Sequence, residues 1–241
     1  MTGARPTERE EKRKRLLDAV ERVRETVEAA ADEAEDIKTL PKATVDAVDD
    51  SGLLRLKLPE ICGGEEADPV TQTEVIEALS YVDASAGWCL MIGASSIAIP
   101  AAFLSNEGVA EVFHCGRVPR ASTAFMPTGT ATPHEGGYLL QGHWAFASGV
   151  RHAAWINLGA LVADNSGDGP PQHRMFSLPT AQAHIHDNWD VIGLRGTGSC
   201  DVSVDNVFVP ARLNYDRLHD APQRGGPLYR LGMPAFVANE G

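Results

Sequence analysis

Aromatic, hydroxyl and glycine residues stand close together in the stretch 137–155, GYLLQGHWAFASGVRHAAW. Apolar and polar residues alternate through its first half, a period of two that predicts a half-buried strand after a Gly-Gly turn. On a strand, Trp144 and Phe146 would point to one face, and Ser148 and Gly149 would follow as a hydroxyl and a flexible backbone. Such a face suits a flat ring with polar edges, such as a flavin. The same spacing is also typical of a hairpin strand with an aromatic pair in the core.

Two segments resemble one protein family. The pattern W-x-F-x-S-G-x-x-H-A-x-W at 144–155 resembles the flavin-contacting segment in the middle barrel domain of the acyl-CoA dehydrogenase superfamily, and in particular its flavin-dependent monooxygenases. A second segment, WDVIGLRGTGS at 189–199 followed by Asp201-Val202 and by VFVP at 207–210, resembles the same domain, in the same order along the chain. The resemblance implies FAD or FMN as the cofactor and a two-component, group D-like monooxygenase.

The resemblance also implies which residues meet the cofactor and the substrate. Phe146 would form a wall beside the flavin ring, and Ser148 would hydrogen-bond near flavin N5. Trp88 and Ser96 lie on a helix that lines the substrate pocket in relatives, so they are candidates for substrate binding. Turn chemistry or core packing is the alternative for each residue, and no catalytic residue is assigned. Weaker candidates for cofactor binding come from the same two segments: Trp144, Gly149, Thr197 and Ser199.

The choice between branches of the superfamily depends on the start of the middle domain. Acyl-CoA dehydrogenases resemble one another there in a T-E-x-x-A-G-S-D pattern, whereas this chain has TAFMPTGTA at 123–131, without the acidic residues. The P-x-G-x-A run at 127–131 is closer to the monooxygenase branch. We therefore expect a monooxygenase acting on an aromatic or polycyclic small molecule. An acyl-CoA dehydrogenase is the second hypothesis, and a non-catalytic fragment or partner subunit is the third.

Other chemistries find little support in the sequence. The Gly196-Thr197-Gly198 run lacks the full G-x-G-x-x-G of a dinucleotide fold, so a separate flavin reductase would have to supply reduced flavin. His184 and His186 share a strand face but lack an evident third ligand, and no metal is expected. His143 and His152 flank the flavin segment, where a hydrogen-bonded structural role is favoured over that of a general base. No G-x-S-x-G nucleophile elbow is present.

Composition favours a soluble cytoplasmic protein. The net charge of −12 argues against a nucleic-acid surface, which needs a basic stripe. Four widely spaced cysteines without a C-x-x-C pair suggest a reducing compartment. Residues 86–104 lack charge over a length that could span a membrane, but small residues and Pro100 favour a buried core helix.

Helix signals are concentrated in the first half of the chain. Thr7 and Glu10 form a capping-box pattern ahead of an apolar stripe that predicts one long helix to about Ile37. Later helices are predicted from Pro41 to Gly52, from Asp68-Pro69 onward, from Ser85 to about Pro100, and from an Asn106 cap to about Cys115.

From Pro119 onward, short alternating runs rich in Thr, Val, Gly and Pro indicate a small all-β domain. The predicted fold is therefore α+β multidomain: an all-α N-terminal domain (1–118), a middle β-barrel domain that contacts the flavin (119–212), and a linker with the start of a further helical domain (213–241). In the superfamily a four-helix bundle follows that point. It is expected to be missing here, so that a homo-oligomer or a complementary chain would complete the site.

Overall fold

The computed structural model describes residues 7–113, 118–162 and 171–230. Within these ranges, six helices precede a seven-stranded sheet, and a one-turn helix comes last. The order confirms the predicted change from an all-α part to a β part. Two predictions lie outside the described residues: the end near Cys115 of the helix capped at Asn106, and the part of the predicted C-terminal segment (213–241) after residue 230. The helices are α1 (Glu8–Ala29), α2 (Ala31–Ile37), α3 (Lys42–Ser51), α4 (Pro69–Ser80), α5 (Ala84–Phe103), α6 (Asn106–Val112) and α7 (Pro227–Arg230).

The first helix begins as predicted and ends early. Thr7 accepts a hydrogen bond from the backbone of Glu10, whose side chain returns one to the Thr7 backbone, which completes the capping box. The single helix expected to reach Ile37 is wrong, because the chain breaks at Ala30 and restarts as α2. No proline or glycine marks this break; instead, α2 packs on the loop around Arg195, whose guanidinium Nε donates to the Glu35 carbonyl at 2.9 Å.

Local sequence signals determine where α3 ends and where α4 begins. Gly52 ends α3 in the left-handed conformation with φ +81°, as predicted. Asp68 accepts hydrogen bonds from the first backbone amides of α4, and Pro69 occupies its first position. The cap of α6 is Ser105, one residue before the predicted Asn106.

Helix α5 extends beyond its predicted end. Proline cannot donate to the carbonyl four residues earlier, so Pro100 was expected to end the helix. The helix instead continues to Phe103, because the side-chain amide of Asn157 donates to the freed Ser96 carbonyl at 2.8 Å. A sheet residue thus replaces the hydrogen bond that the helix lacks.

Helix α5 belongs to both hydrophobic cores. Its first part, including Leu90 and Ala94, packs with α1, α3 and α4, and its last part, including Ala98 and Ala102, packs against the sheet. Among the described residues it is the helix that is long and apolar enough to cross a membrane, and most of it is buried by the rest of the protein. This burial matches the predicted core helix.

The sheet is mixed and strongly curved. Its strands are β1 (Ala121–His134), β2 (Gly137–Ala147), β3 (Trp155–Val162), β4 (Gln172–Pro179), β5 (His184–Ile185), β6 (Cys200–Pro210) and β7 (Asn214–Tyr215). They lie in the order β5-β6-β2-β1-β3-β4-β7, with β1 and β3 parallel and the other neighbours antiparallel. Tyr138 of β2 and Phe176 of β4 meet edge to face at 5.3 Å, although β1 and β3 separate their strands in the sheet. The curvature therefore gives a barrel-like core.

Two glycines make room for the largest side chain of that core. A Cβ on Gly129 would lie 2.1 Å from the Trp144 ring, and one on Gly142 would lie 2.8 Å from it. The ring cannot move aside easily, because its Nε1 donates to the Gly159 carbonyl at 2.6 Å and its side chain is fully buried. The sheet is therefore shaped around Trp144.

We predict that Gly129→Ala destabilises the protein by about 2 kcal/mol or more, because the added methyl group overpacks a rigid indole. Gly193→Ala is the matched control, since its Cβ would meet nothing within 4 Å, and it should change stability by less than about 0.5 kcal/mol. Urea unfolding midpoints measure both changes. Equal midpoints for the two variants would contradict this account of the core.

Candidate functional site

The segment around Phe146 departs from regular strand geometry. The β2–β6 register shifts between Trp144 and Ala147, and Phe146 has φ +64° in the left-handed region. As a result, Trp144 is 1% exposed and Phe146 is 68% exposed. The prediction that both rings share one face is wrong, because the bulge turns Phe146 outward.

Two contacts hold Phe146 in this conformation. Its backbone amide donates to the Asp201 carboxylate at 3.4 Å, and its ring meets Trp189 edge to face at 6.2 Å. A left-handed conformation costs a non-glycine residue about 1–2 kcal/mol. Such strain is typical of functional sites, where the surrounding structure has to maintain it. The sequence analysis did not identify Asp201 as the residue that holds the Phe146 backbone. The only sequence signal for Asp201 was its position next to the second family segment.

Ser148 lies in a continuous chain of hydrogen bonds. The indole Nε1 of Trp88 donates to Ser148 Oγ at 2.9 Å, and Ser148 Oγ lies 2.8 Å from Ser199 Oγ. Ser199 Oγ lies 2.7 Å from Thr197 Oγ1, which donates to the Leu194 carbonyl at 2.8 Å. We call this row of four side chains, from Trp88 to Thr197, the hydroxyl chain. It connects α5, the end of β2 and the loop before β6.

The hydroxyl chain has one half-buried end and a buried interior. Trp88 is 37% exposed, and the three hydroxyl residues are buried. Four residues expected from the sequence at cofactor or substrate are therefore brought together. The Ser148 backbone amide donates to the Phe146 carbonyl at 3.0 Å, so the exposed Phe146 ring lies on the segment that leads into the hydroxyl chain. We take this segment, together with the hydroxyl chain, as the candidate surface for a flat, polar-edged molecule.

Trp144 and Ser96 do not join this surface. Trp144 packs in the sheet core, so the structure does not offer it to a cofactor. Ser96 is 1% exposed, and its Oγ accepts a hydrogen bond from Thr123 Oγ1 at 2.9 Å. The Ser96 hydroxyl and carbonyl both fix α5 on the sheet, and substrate binding through Ser96 stays a prediction.

Gly149 turns the chain away from Ser148. It has φ +70°, and its amide donates to the Thr197 carbonyl at 2.8 Å. An added Cβ would approach His152 Nε2 to 3.0 Å. The close neighbour that requires glycine here is His152, and a cofactor contact through Gly149 stays a prediction.

His152 borders a small cavity between the helices and the sheet. The cavity of about 30 Å³ has room for one or two waters, and Asp49 and Arg120 also line it. His152 Nδ1 and Asp49 Oδ1 are buried there without a hydrogen-bond partner in the described part of the chain. Burial, helped by the Arg120 charge, lowers the pKa of His152 from 6.5 to about 4. The expected hydrogen-bonded structural histidine is thus a neutral, desolvated one.

The other histidines near the site form a row on the surface of the sheet. His143 Nε2 lies 2.8 Å from the Asp201 carboxylate, and its ring lies 4.9 Å from that of His186, which in turn lies 4.6 Å from that of His184. In the described ranges, no three His, Cys, Asp or Glu side chains are grouped in a way that could hold a metal.

Comparison with known proteins gives the site a context. Residues 10–111 match the family model for the acyl-CoA dehydrogenase N-terminal domain. The chain is 35% identical over 187 residues to the flavin-dependent monooxygenase, oxygenase subunit HsaA, of Rhodococcus jostii (strain RHA1), across 77% of this chain and 48% of that protein. It is 32% identical over 200 residues to the indole-3-acetate monooxygenase of Pseudomonas putida, across 82% of this chain and 50% of that protein.

A solved structure agrees with these sequence comparisons. XiaF from Streptomyces sp., in complex with FADH2 and glycerol, is similar with a TM-score of 0.79 and 30% identity, over 87% of this chain and 52% of that one. The chain therefore spans about half the length of the relatives it matches.

We predict that His152 makes the free energy of unfolding decrease as the pH is lowered from 6.5 to about 4. Below pH 6.5 the unfolded chain takes up a proton that the folded chain resists until about pH 4, so folding stability is lost as pH falls through that window. The loss is roughly 3 kcal/mol at most. His152→Gln should flatten the stability curve between pH 6.5 and 4.5. Thr180→Val, at a buried residue whose side chain does not titrate, should keep the parent slope. Parallel curves for parent and His152→Gln would refute the assignment.

Proposed function

We propose that this chain, which belongs to the acyl-CoA dehydrogenase superfamily, carries the flavin-binding surface of a two-component monooxygenase that acts on an aromatic or polycyclic small molecule. The observation that carries the proposal is the junction at Ser148, whose hydroxyl pairs with Trp88 and Ser199 and whose backbone amide donates to the carbonyl of the exposed Phe146. Four of the six residues that the family resemblance assigned to a flavin lie at or beside this junction, namely Phe146, Ser148, Thr197 and Ser199. Relatives at 32–35% identity are named as monooxygenases.

The residues at the junction fit a flavin ring. Phe146 offers an exposed aromatic wall, and Ser148 offers a hydroxyl oxygen held in place from two sides. Ser148, Thr197 and Ser199 are buried, so water is excluded from their hydroxyls and each hydrogen bond there is stronger. When bound, a reduced flavin supplies the electrons for reaction with O2, and the protein's part is to bind, orient and exclude water.

The names of the relatives support the finer points of the proposal. The Rhodococcus relative is named an oxygenase subunit, which supports a separate flavin reductase as the partner of this chain. The solved structure of XiaF contains FADH2, which supports FAD as the cofactor, with FMN as the other flavin to test. Indole-3-acetate is the substrate in the name of the Pseudomonas relative, which supports an aromatic substrate.

We place the protein in the cytoplasm and expect a homo-oligomer or a complementary chain to cover the site. Cys89 and Cys200 are buried and free, which suits a reducing compartment. Phe146 and Ile192, on the two family segments, are large apolar side chains left exposed, which suits a surface that another segment or subunit covers. The division into domains at 118–119 and 212–213 is part of the same proposal.

Anaerobic titration with reduced FAD and reduced FMN tests the proposal directly. We expect binding of at least one of them, followed by oxygen-dependent hydroxylation of an aromatic substrate when a flavin reductase and NADH are added. Reduction of bound oxidised flavin by an acyl-CoA thioester would favour a dehydrogenase instead. If neither flavin binds, the third hypothesis, a non-catalytic subunit or fragment, is supported instead.

We predict that Ser148→Ala weakens the binding of reduced flavin about tenfold, since one hydrogen bond to a buried, oriented hydroxyl oxygen is lost. Ser203→Ala is the matched control, because the Ser203 hydroxyl pairs with His186 away from the hydroxyl chain. Fluorescence titration of both variants under anaerobic conditions gives the dissociation constants. Equal constants for the parent and Ser148→Ala would remove Ser148 from the site.

A further inference from the structure

We infer that Thr197 and Ser199 are positioning residues that make the Ser148 hydroxyl a hydrogen-bond acceptor toward the ligand, so that the site selects the reduced form of a flavin over the oxidised form. The inference rests on the proposed function, because it takes the ligand to be a flavin whose N5 edge meets Ser148. It assigns a role to two buried hydroxyls that need not touch the cofactor.

The direction of the hydroxyl chain is fixed at its inner end. Thr197 Oγ1 lies 2.8 Å from the carbonyl oxygen of Leu194. A carbonyl has no proton to give, so the Thr197 hydroxyl proton must lie between the two oxygens. Thr197 can then only accept from Ser199, and Ser199 can only accept from Ser148.

The outer end of the hydroxyl chain imposes the same direction. The indole nitrogen of Trp88 is a donor without acceptor capacity, and it points at Ser148 Oγ from 2.9 Å. Ser148 therefore accepts one hydrogen bond from Trp88 and donates its single proton to Ser199. In every hydrogen bond of the row, the donor lies on the Trp88 side and the acceptor on the Leu194 side. Hydrogen bonds that point in one direction strengthen one another.

This direction determines what Ser148 offers to a ligand. Ser148 donates its only hydroxyl proton to Ser199 and accepts from Trp88, so its oxygen has one lone pair left for a ligand and no proton to donate. A reduced flavin carries a proton on N5 and can donate to that lone pair. An oxidised flavin has a bare N5, which would set two acceptors against each other and leave both unsatisfied.

Burial prevents water from reversing the direction. Thr197 is 1% exposed and Ser199 is 4% exposed, so solvent does not reach the inner hydroxyls to offer an alternative acceptor. Ser148 is 7% exposed, and its backbone carbonyl also accepts from Ser122 Oγ at 2.8 Å. The orientation of the Ser148 hydroxyl is therefore set by the protein before a ligand arrives.

Thr197→Val tests the inference. It removes the inner acceptor with almost no change in shape, so the Ser199 proton can turn to Ser148 and release the Ser148 proton toward the ligand. We expect the ratio of dissociation constants, oxidised over reduced flavin, to fall about tenfold relative to the parent. The two-electron potential of the bound flavin should fall by about 30 mV with it. Anaerobic titrations and spectroelectrochemistry give these two readings independently of turnover.

Two further variants separate orientation from damage to the fold. Thr197→Ser keeps the hydroxyl and should restore the parent ratio. Thr180→Val makes the same chemical change at a buried threonine whose hydroxyl lacks a partner in the described residues, and it should leave the ratio unchanged. If Thr197→Val binds flavin with the parent ratio, or weakens both forms equally, the inference is overturned while the proposed function stands. A parent protein that binds neither form overturns both.

Discussion

The polar contacts between helix α5 and the sheet hold the candidate site together. A helix that is buried over most of its surface has little solvated face, so its position depends on the few polar groups that it can pair with its neighbours. Trp88 near its start pairs with Ser148, and Ser96 further along pairs with Thr123 and Asn157. Since α5 is part of both cores, these contacts also join the helical part to the sheet.

Local signals in the sequence were enough to predict the element types and most helix ends. The Thr7–Glu10 capping box, the Asp68-Pro69 start and the Gly52 end act within a few residues, so they can be read without a fold. Features decided by distant partners could not be predicted in this way. The break at Ala30 and the continuation of α5 past Pro100 depend on contacts with sheet and loop residues more than 50 positions away.

The same distinction explains what sequence reasoning found of the site and what it missed. The family segments pointed to Ser148, Thr197 and Ser199, which the structure joins by hydrogen bonds, but a period of two could not show that Phe146 leaves the strand. That change requires Asp201 on the neighbouring strand to accept the Phe146 amide, which is a tertiary contact. The same limit applies to Trp144, a weaker candidate for the cofactor: without the bulge, the two aromatic residues would share one face.

Two residues with strained backbone lie next to the hydroxyl chain. Phe146 lies two residues before Ser148, and Leu194 has the carbonyl that accepts the last hydrogen bond of the chain; both have left-handed backbone without being glycine. Each costs about 1–2 kcal/mol, so the fold maintains them through buried hydrogen bonds and packing. The Leu194 conformation aims its carbonyl at Thr197 and also at the Trp189 indole, 3.2 Å away. Because this strain is already present before any ligand binds, a ligand meets donors and acceptors whose orientation is fixed, and little of its binding free energy is needed to order them.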